Sequence, residues 1–134
     1  MSKTGGEALV ESIKAKGVEV VFGIPGVQLY HLMDAFYKHQ DVRFIVTRHE
    51  QGAAYMADGY ARASGKEGVC VVVPGPGLLN ASAAIGTAYS ASSPVLVLTG
   101  QINKNFIGIE GGELHEIHDQ IDVIKPITKS AERV

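Results

Sequence analysis

Arg43–Arg62, RFIVTRHEQGAAYMADGYAR, is the stretch whose reading decides the fold. Arg43–Thr47 is a short apolar run rich in β-branched residues, as a buried strand requires. Two polar residues later, Glu50–Ala63 brings Ala53, Ala54, Ala57 and Ala61 to helical spacing. A buried strand that gives way to a helix within two residues is half of a βαβ unit. Working outward, three more runs of the same kind occur at Val18–Phe22, Val69–Val73 and Val95–Thr99. They are nearly continuous instead of alternating, so both of their faces are expected to be covered.

Helical patterns fill the gaps between the runs. Glu7–Lys16 follows Thr4 as N-cap and stops at Gly17, Val27–His39 carries Leu29, Leu32, Met33 and Phe36 on one face, and Leu78–Ser90 follows the third run. The alternation predicts an α/β domain with a doubly wound, mainly parallel sheet and helices on both faces. The length suits one domain over residues 1–134. Gln101–Val134 is less regular. Gly112–Gln120 reads as a short polar helix, and Ile121–Ile127, interrupted by Pro126, reads as an edge strand.

Composition narrows the partners. The formal charge is −2 with acids and bases interspersed, so no face reads as a nucleic-acid patch. The apolar runs are far too short to span a bilayer. Met1–Glu7 has no apolar core of a secretory signal, and the Met-Ser-Lys opening reads as a natural start. Cys70, the one cysteine, lies inside an apolar run and reads as a small buried hydrophobe. A cytoplasmic protein without disulfides, acting on neither membrane nor nucleic acid, is the economical expectation.

Ligands of open parallel sheets bind where strands end and helices begin. Three segments occupy such places: Phe22–Val27 (FGIPGV), Arg48–Gly52 (RHEQG) and Val73–Asn80 (VPGPGLLN). Glu50 opens a helix, where an acid also complements the helix dipole. Gly75 and Gly77 can turn sharply and expose backbone N–H groups, but Asn80 stands where a dinucleotide fingerprint has its third glycine. Pro25-Gly26 is by default a turn. His115 and His118, with Glu113, Glu116 and Asp119 nearby, have metal-ligand chemistry, although a solvated polar face is the commoner outcome, and no metal site is assigned.

Taken in order, FGIPG, RHEQGAAYMADGYAR, the GPG turn ending at Asn80 and ASSPVLVLTGQ resemble the thiamine diphosphate enzymes of the acetolactate synthase type, from about Gly6 to Val134. The resemblance implies the pyrimidine-binding domain of that family, with its thiamine diphosphate-binding fold. It implies that Glu50 hydrogen-bonds the ring nitrogen N1′ of the cofactor and thereby activates the thiazolium C2 position for attack on a 2-oxoacid. It further implies that Pro25, Gly26, Pro74, Gly75, Gly77 and Asn80 line the pyrimidine and the subunit interface, with Val27 and Gln101 near the substrate. Members of the family hold the diphosphate through Mg²⁺ with a GDG…N motif in another domain, and these residues contain no such motif. The chain is therefore expected to be the N-terminal part of a longer multidomain enzyme, or alternatively one subunit of a split one. A homodimer or tetramer, whose partner contributes the diphosphate domain, is expected in either case. Apolar Val27 and Val73 favour a carboligase over the simple decarboxylases of the family. His115–His118 departs from the acetolactate synthase pattern, which opens a different substrate. A Rossmann-like nucleotide module without catalysis is the competing class.

Overall fold

In the computed structural model, which describes residues 3–134, the four apolar runs pair into one all-parallel sheet. Met1 and Ser2, and with them the natural start read there, lie outside the described residues. The strands are β1 (Val20–Gly23), β2 (Arg43–Val46), β3 (Gly68–Val72) and β4 (Val95–Thr99), in the order β2-β1-β3-β4. Four helices connect and cover them: α1 (Gly5–Ala15), α2 (Tyr30–Lys38), α3 (Glu50–Ser64) and α4 (Pro76–Ser90). The doubly wound α/β reading holds.

The two faces of the sheet build two cores. Val20, Phe22, Cys70 and Val72 pack with Ala53, Ala57, Leu78 and Ala81 of α3 and α4. Val21, Val69 and Val71 pack with Val10, Ile13, Leu32 and Phe36 of α1 and α2. Neighbouring strand residues thus point to opposite faces, yet both faces are dry, which is why the sequence shows no polar alternation in the central strands. The small side chains of α3 have a close neighbour within the chain. A Cβ on Gly68, at the start of β3, would lie 2.0 Å from the carbonyl oxygen of Ala57.

Local chemistry sets the helix ends. Thr4 and Glu7 form a reciprocal capping box on α1, and Gly17 follows its end at φ +82°. The Glu7 carboxyl is lowered to about 2 by the backbone N–H of Thr4, with Lys38 and the Thr4 hydroxyl adding to the shift. The expected helix Val27–His39 divides into a 3-10 turn at Val27–Leu29 and then α2.

Two expectations for the C-terminal third fail. Of Gly112–Gln120, residues 112–119 form turns and loop instead of a polar helix, because Gly112 at φ +81° and His115 at φ +68° cannot continue a right-handed helix. Ile121–Ile127 is not an edge strand. Gln120–Ile124 forms α5, whose cap Asp119 accepts from the N–H groups of Ile121 and Asp122, and Lys125–Ile127 follows as a 3-10 turn with Pro126 in its opening positions. Ile124 joins the core beside α4, so burial of one apolar side chain and a strong cap outweigh β-propensity here.

One buried charge joins α3 to the turn before β4. Asp58 is 5 % exposed, and Arg62 reaches its carboxylate with Nε at 3.0 Å and Nη2 at 2.9 Å. Burial pushes the Asp58 carboxyl up, but Ser93 and Arg62 outweigh it and hold the group below its usual range. A carboxyl lowered in the folded state stabilises above its unfolded pKa of about 3.9, and that contribution fades as pH falls through the folded value. Asp58→Asn is therefore expected to cost roughly 1–3 kcal/mol at pH 7 and clearly less near pH 3. Urea midpoints at the two pH values check this, and an equal loss at both would assign the effect to packing.

Candidate functional site

The chain reverses its direction of winding between β1 and β3. From β1 it proceeds to β2 on one side, and β3 then lies on the other side of β1. Such a switch point leaves a crevice beyond the carboxyl ends of the two strands. Two of the sequence-selected segments end there, Phe22–Val27 after β1 and Val73–Asn80 after β3. Val73 fills the space between them. A Cβ on Gly26 would lie 2.2 Å from Val73 Cγ1, and one on Gly77 2.6 Å from Val73 Cγ2. Glycine at both positions lets the two turns close onto an apolar floor that no larger residue would leave intact.

Glu50 enters this crevice from the third segment, as the first residue of α3. The cap of that helix is His49, whose Nδ1 accepts from the Gln51 N–H at 3.1 Å. Because His49 caps the helix, the Glu50 carboxylate is free to reach across to α4. There Asn80 Nδ2 donates to Oε2 at 3.0 Å, joining residues 30 apart in sequence. The other oxygen, Oε1, lies 3.6 Å from the position a Gly77 Cβ would take. One carboxylate oxygen is thus oriented by an amide, and the other lies beside Gly77 with no hydrogen-bond partner among the described residues. Burial pushes the Cys70 thiol, in the strand beneath, up to about 12, with the charge of Glu50 adding to the shift. A structural thiol, not a reactive one, results.

Gly75 caps α4 at φ +55°, ψ −113°, and Pro74 before it is fully buried. These two shape the turn, whereas Gly77 and Asn80 meet Glu50. Pro25 and Val27 stand exposed on the β1 side, Val27 at 51 %. Gln101 folds back, its Oε1 accepting from the Ile102 N–H at 2.8 Å. None of these three makes a polar contact with Glu50. His115 and His118 part company. His115 Nδ1 meets Gln28 Oε1 at 2.9 Å, while His118 pairs with Glu110. Among the described residues no three His, Cys, Asp or Glu side chains group as a metal site.

Sequence reasoning passed over Gln28 and Gln120. Gln28 Nε2 donates to the Leu114 carbonyl at 2.8 Å, and Gln120 Nε2 donates to the Gly100 carbonyl at 2.9 Å. Partners 86 and 20 residues away leave no local signal in the sequence. The family model described as "Thiamine pyrophosphate enzyme, N-terminal TPP binding domain" matches residues 3–125.

The chain belongs to this family. As a TPP-enzyme N-terminal domain it is 48 % identical over 125 residues to a probable 2-ketoarginine decarboxylase of Pseudomonas aeruginosa, covering 93 % of this chain and 22 % of that protein. It is 47 % identical to a probable acetolactate synthase large subunit of Methanocaldococcus jannaschii, covering 93 % of this chain and 20 % of the relative. With the acetolactate synthase large subunit of Lactococcus lactis it shares 41 % identity over 126 residues, which is 94 % of this chain and 21 % of the relative. The TPP domain therefore spans about a fifth of the length of the curated relatives it matches. The crevice suits the cofactor of the family, because a flat heteroaromatic ring needs an apolar floor, a glycine-cleared wall and one oriented acceptor. Val73, Gly26, Gly77 and Glu50 supply them.

Proposed function

We propose that this domain clasps the aminopyrimidine ring of thiamine diphosphate and that Glu50 activates it in a 2-oxoacid carboligase similar to acetolactate synthase. The observation that carries this reading is the Glu50 carboxylate, fixed at Oε2 by Asn80 and open at Oε1 beside Gly77. Glu50 Oε1 accepts from, and holds the proton at, the ring nitrogen N1′. Asn80 keeps that carboxylate from rotating away. Val73 supports the ring from below and, with Gly26 and Gly77, keeps water from the contact. When bound, the cofactor supplies the electron sink for cleavage next to a 2-oxo group. Val27 and Gln101 flank the route by which the 2-oxoacid arrives.

Mg²⁺ and the diphosphate fall to residues outside this chain, in another domain of a longer enzyme or in a partner subunit. A homodimer or tetramer brings that domain to the cleft. In support, Tyr55 and Met56 of α3 and Leu79 of α4 are each more than 40 % exposed, and nothing lies within 4 Å of where a Cβ would stand on Gly52 or Gly59. A cytoplasmic setting accompanies this reading. A specific finding favours one second reading: the 48 % identity to a probable 2-ketoarginine decarboxylase supports a decarboxylase acting on a 2-oxoacid of that kind.

Calorimetric titration of the purified chain with thiamine diphosphate and Mg²⁺ tests the division of labour. Weak binding, the same with and without Mg²⁺, is the expected result. Tight binding that needs Mg²⁺ would mean that these residues hold the diphosphate themselves, and the assignment of roles would fall.

A further inference from the structure

Gln28 and His115 meet at the carboxyl edge of the sheet, where three turns converge. The backbone carbonyl of His115 packs onto Gly75, at 2.2 Å from a Cβ built there, and Gln28 packs onto Gly100, whose Cβ would lie 3.1 Å from Gln28 Cβ. The orientation of the Gln28 amide follows from its other partner. The Leu114 carbonyl can only accept, so the atom 2.8 Å from it is the donor Nε2, and the atom facing His115 is the acceptor Oε1. An acceptor 2.9 Å from Nδ1 requires that Nδ1 carry the proton. In the neutral ring Nε2 then bears the lone pair, and it has no hydrogen-bond partner among the described residues. His115 is only partly buried, so that lone pair is open to solvent or ligand at the mouth of the crevice.

We infer that Gln28 is a positioning residue that locks His115 in its Nδ1–H tautomer, and that His115 Nε2 accepts a hydrogen bond from an N–H or O–H donor on the side chain of the substrate. Three acidic groups of the same loop are already engaged. Glu110 pairs with His118, Glu116 accepts from the N–H groups of Gly112 and Glu113, and Asp119 caps α5. The second half of the inference rests on the proposed 2-oxoacid chemistry, and the first half does not.

The first half is read from the long-range ¹H–¹⁵N spectrum of the histidine-labelled chain at alkaline pH, with the ring neutral. The His115 proton is expected on Nδ1. It should move to Nε2 in Gln28→Leu and remain on Nδ1 in Gln28→Glu, which keeps the acceptor. A native spectrum with the proton on Nε2, or averaged between the nitrogens, overturns the inference without any variant having to fold. The second half is read in the thiamine diphosphate-loaded enzyme with two probes, 2-oxo-5-guanidinopentanoate and 2-oxohexanoate. His115→Phe should lower the kcat/KM preference for the guanidino acid about ten- to hundredfold, the worth of one hydrogen bond from a charged donor. An unchanged preference overturns the substrate role. Native enzyme that turns over pyruvate but neither probe would also overturn the substrate role, and turnover of none of the three would overturn the 2-oxoacid reading on which that role rests. The tautomer would still be decided by the spectrum.

Discussion

Glu50→Gln is expected to slow exchange of the thiazolium C2 proton of bound thiamine diphosphate by roughly 10²–10⁴-fold, the span usual for removing a positioned acid–base group. The substitution is nearly isosteric, so Asn80 keeps a carbonyl oxygen to donate to, and α3 keeps its His49 cap. What is lost is the negative acceptor at Oε1. The amide NH2 that replaces it donates instead of accepting, so the protonated ring nitrogen is no longer favoured. Asn80→Ala should have a smaller effect in the same direction, because the charge remains while its orientation relaxes. Quenched-flow exchange in deuterium oxide measures both variants, with calorimetry confirming that cofactor is bound. Exchange in Glu50→Gln within a factor of two of the native rate would remove Glu50 from the reaction. The domain would then be left with a binding role alone.

Gly75→Ala is expected to cost roughly 2–4 kcal/mol and to lower Tm by about 8–15 °C. Two causes add. The backbone at φ +55°, ψ −113° belongs to a region that L side chains rarely adopt, and a Cβ there would sit 2.2 Å from the His115 carbonyl oxygen and 3.3 Å from Ile117 Cγ2. The backbone carbonyl cannot yield cheaply, whereas the Ile117 methyl needs to give by only a few tenths of an ångström. Gly65→Ala is the control. Its φ of +70° is also left-handed, but nothing lies within 4 Å of its would-be Cβ, so strain alone predicts a loss of about 1 kcal/mol. Equal Tm losses in the two variants would show that the loop gives way and that contact with His115 carries no cost.

Much of the architecture follows from the sequence alone. β4 begins and ends where its apolar run does, and α3 and α4 start within two residues of where their patterns place them. Runs such as Val69–Val73 can be buried on both faces only in a covered parallel sheet, so composition and spacing dictate the doubly wound form. RHEQG after β2 and the glycine turn after β3 were legible as strand-end segments for the same reason. Strand ends in such sheets are the places where backbone groups and helix starts face outward together.

Tertiary structure alone decided the rest. The fate of residues 112–127 turned on the left-handed backbone of His115, on the cap supplied by Asp119 and on the burial of Ile124 beside α4, none of which β-propensity or periodicity registers. The orientation of Glu50 depends on Asn80, 30 residues away, and the tie between Gln28 and the loop before α5 spans 86 residues. Apolar patterning records only whether a side chain faces the core, so it fixes strands and helices. A hydrogen bond between distant turns leaves no period in the chain, and it exists only once the sheet has brought those turns to one edge.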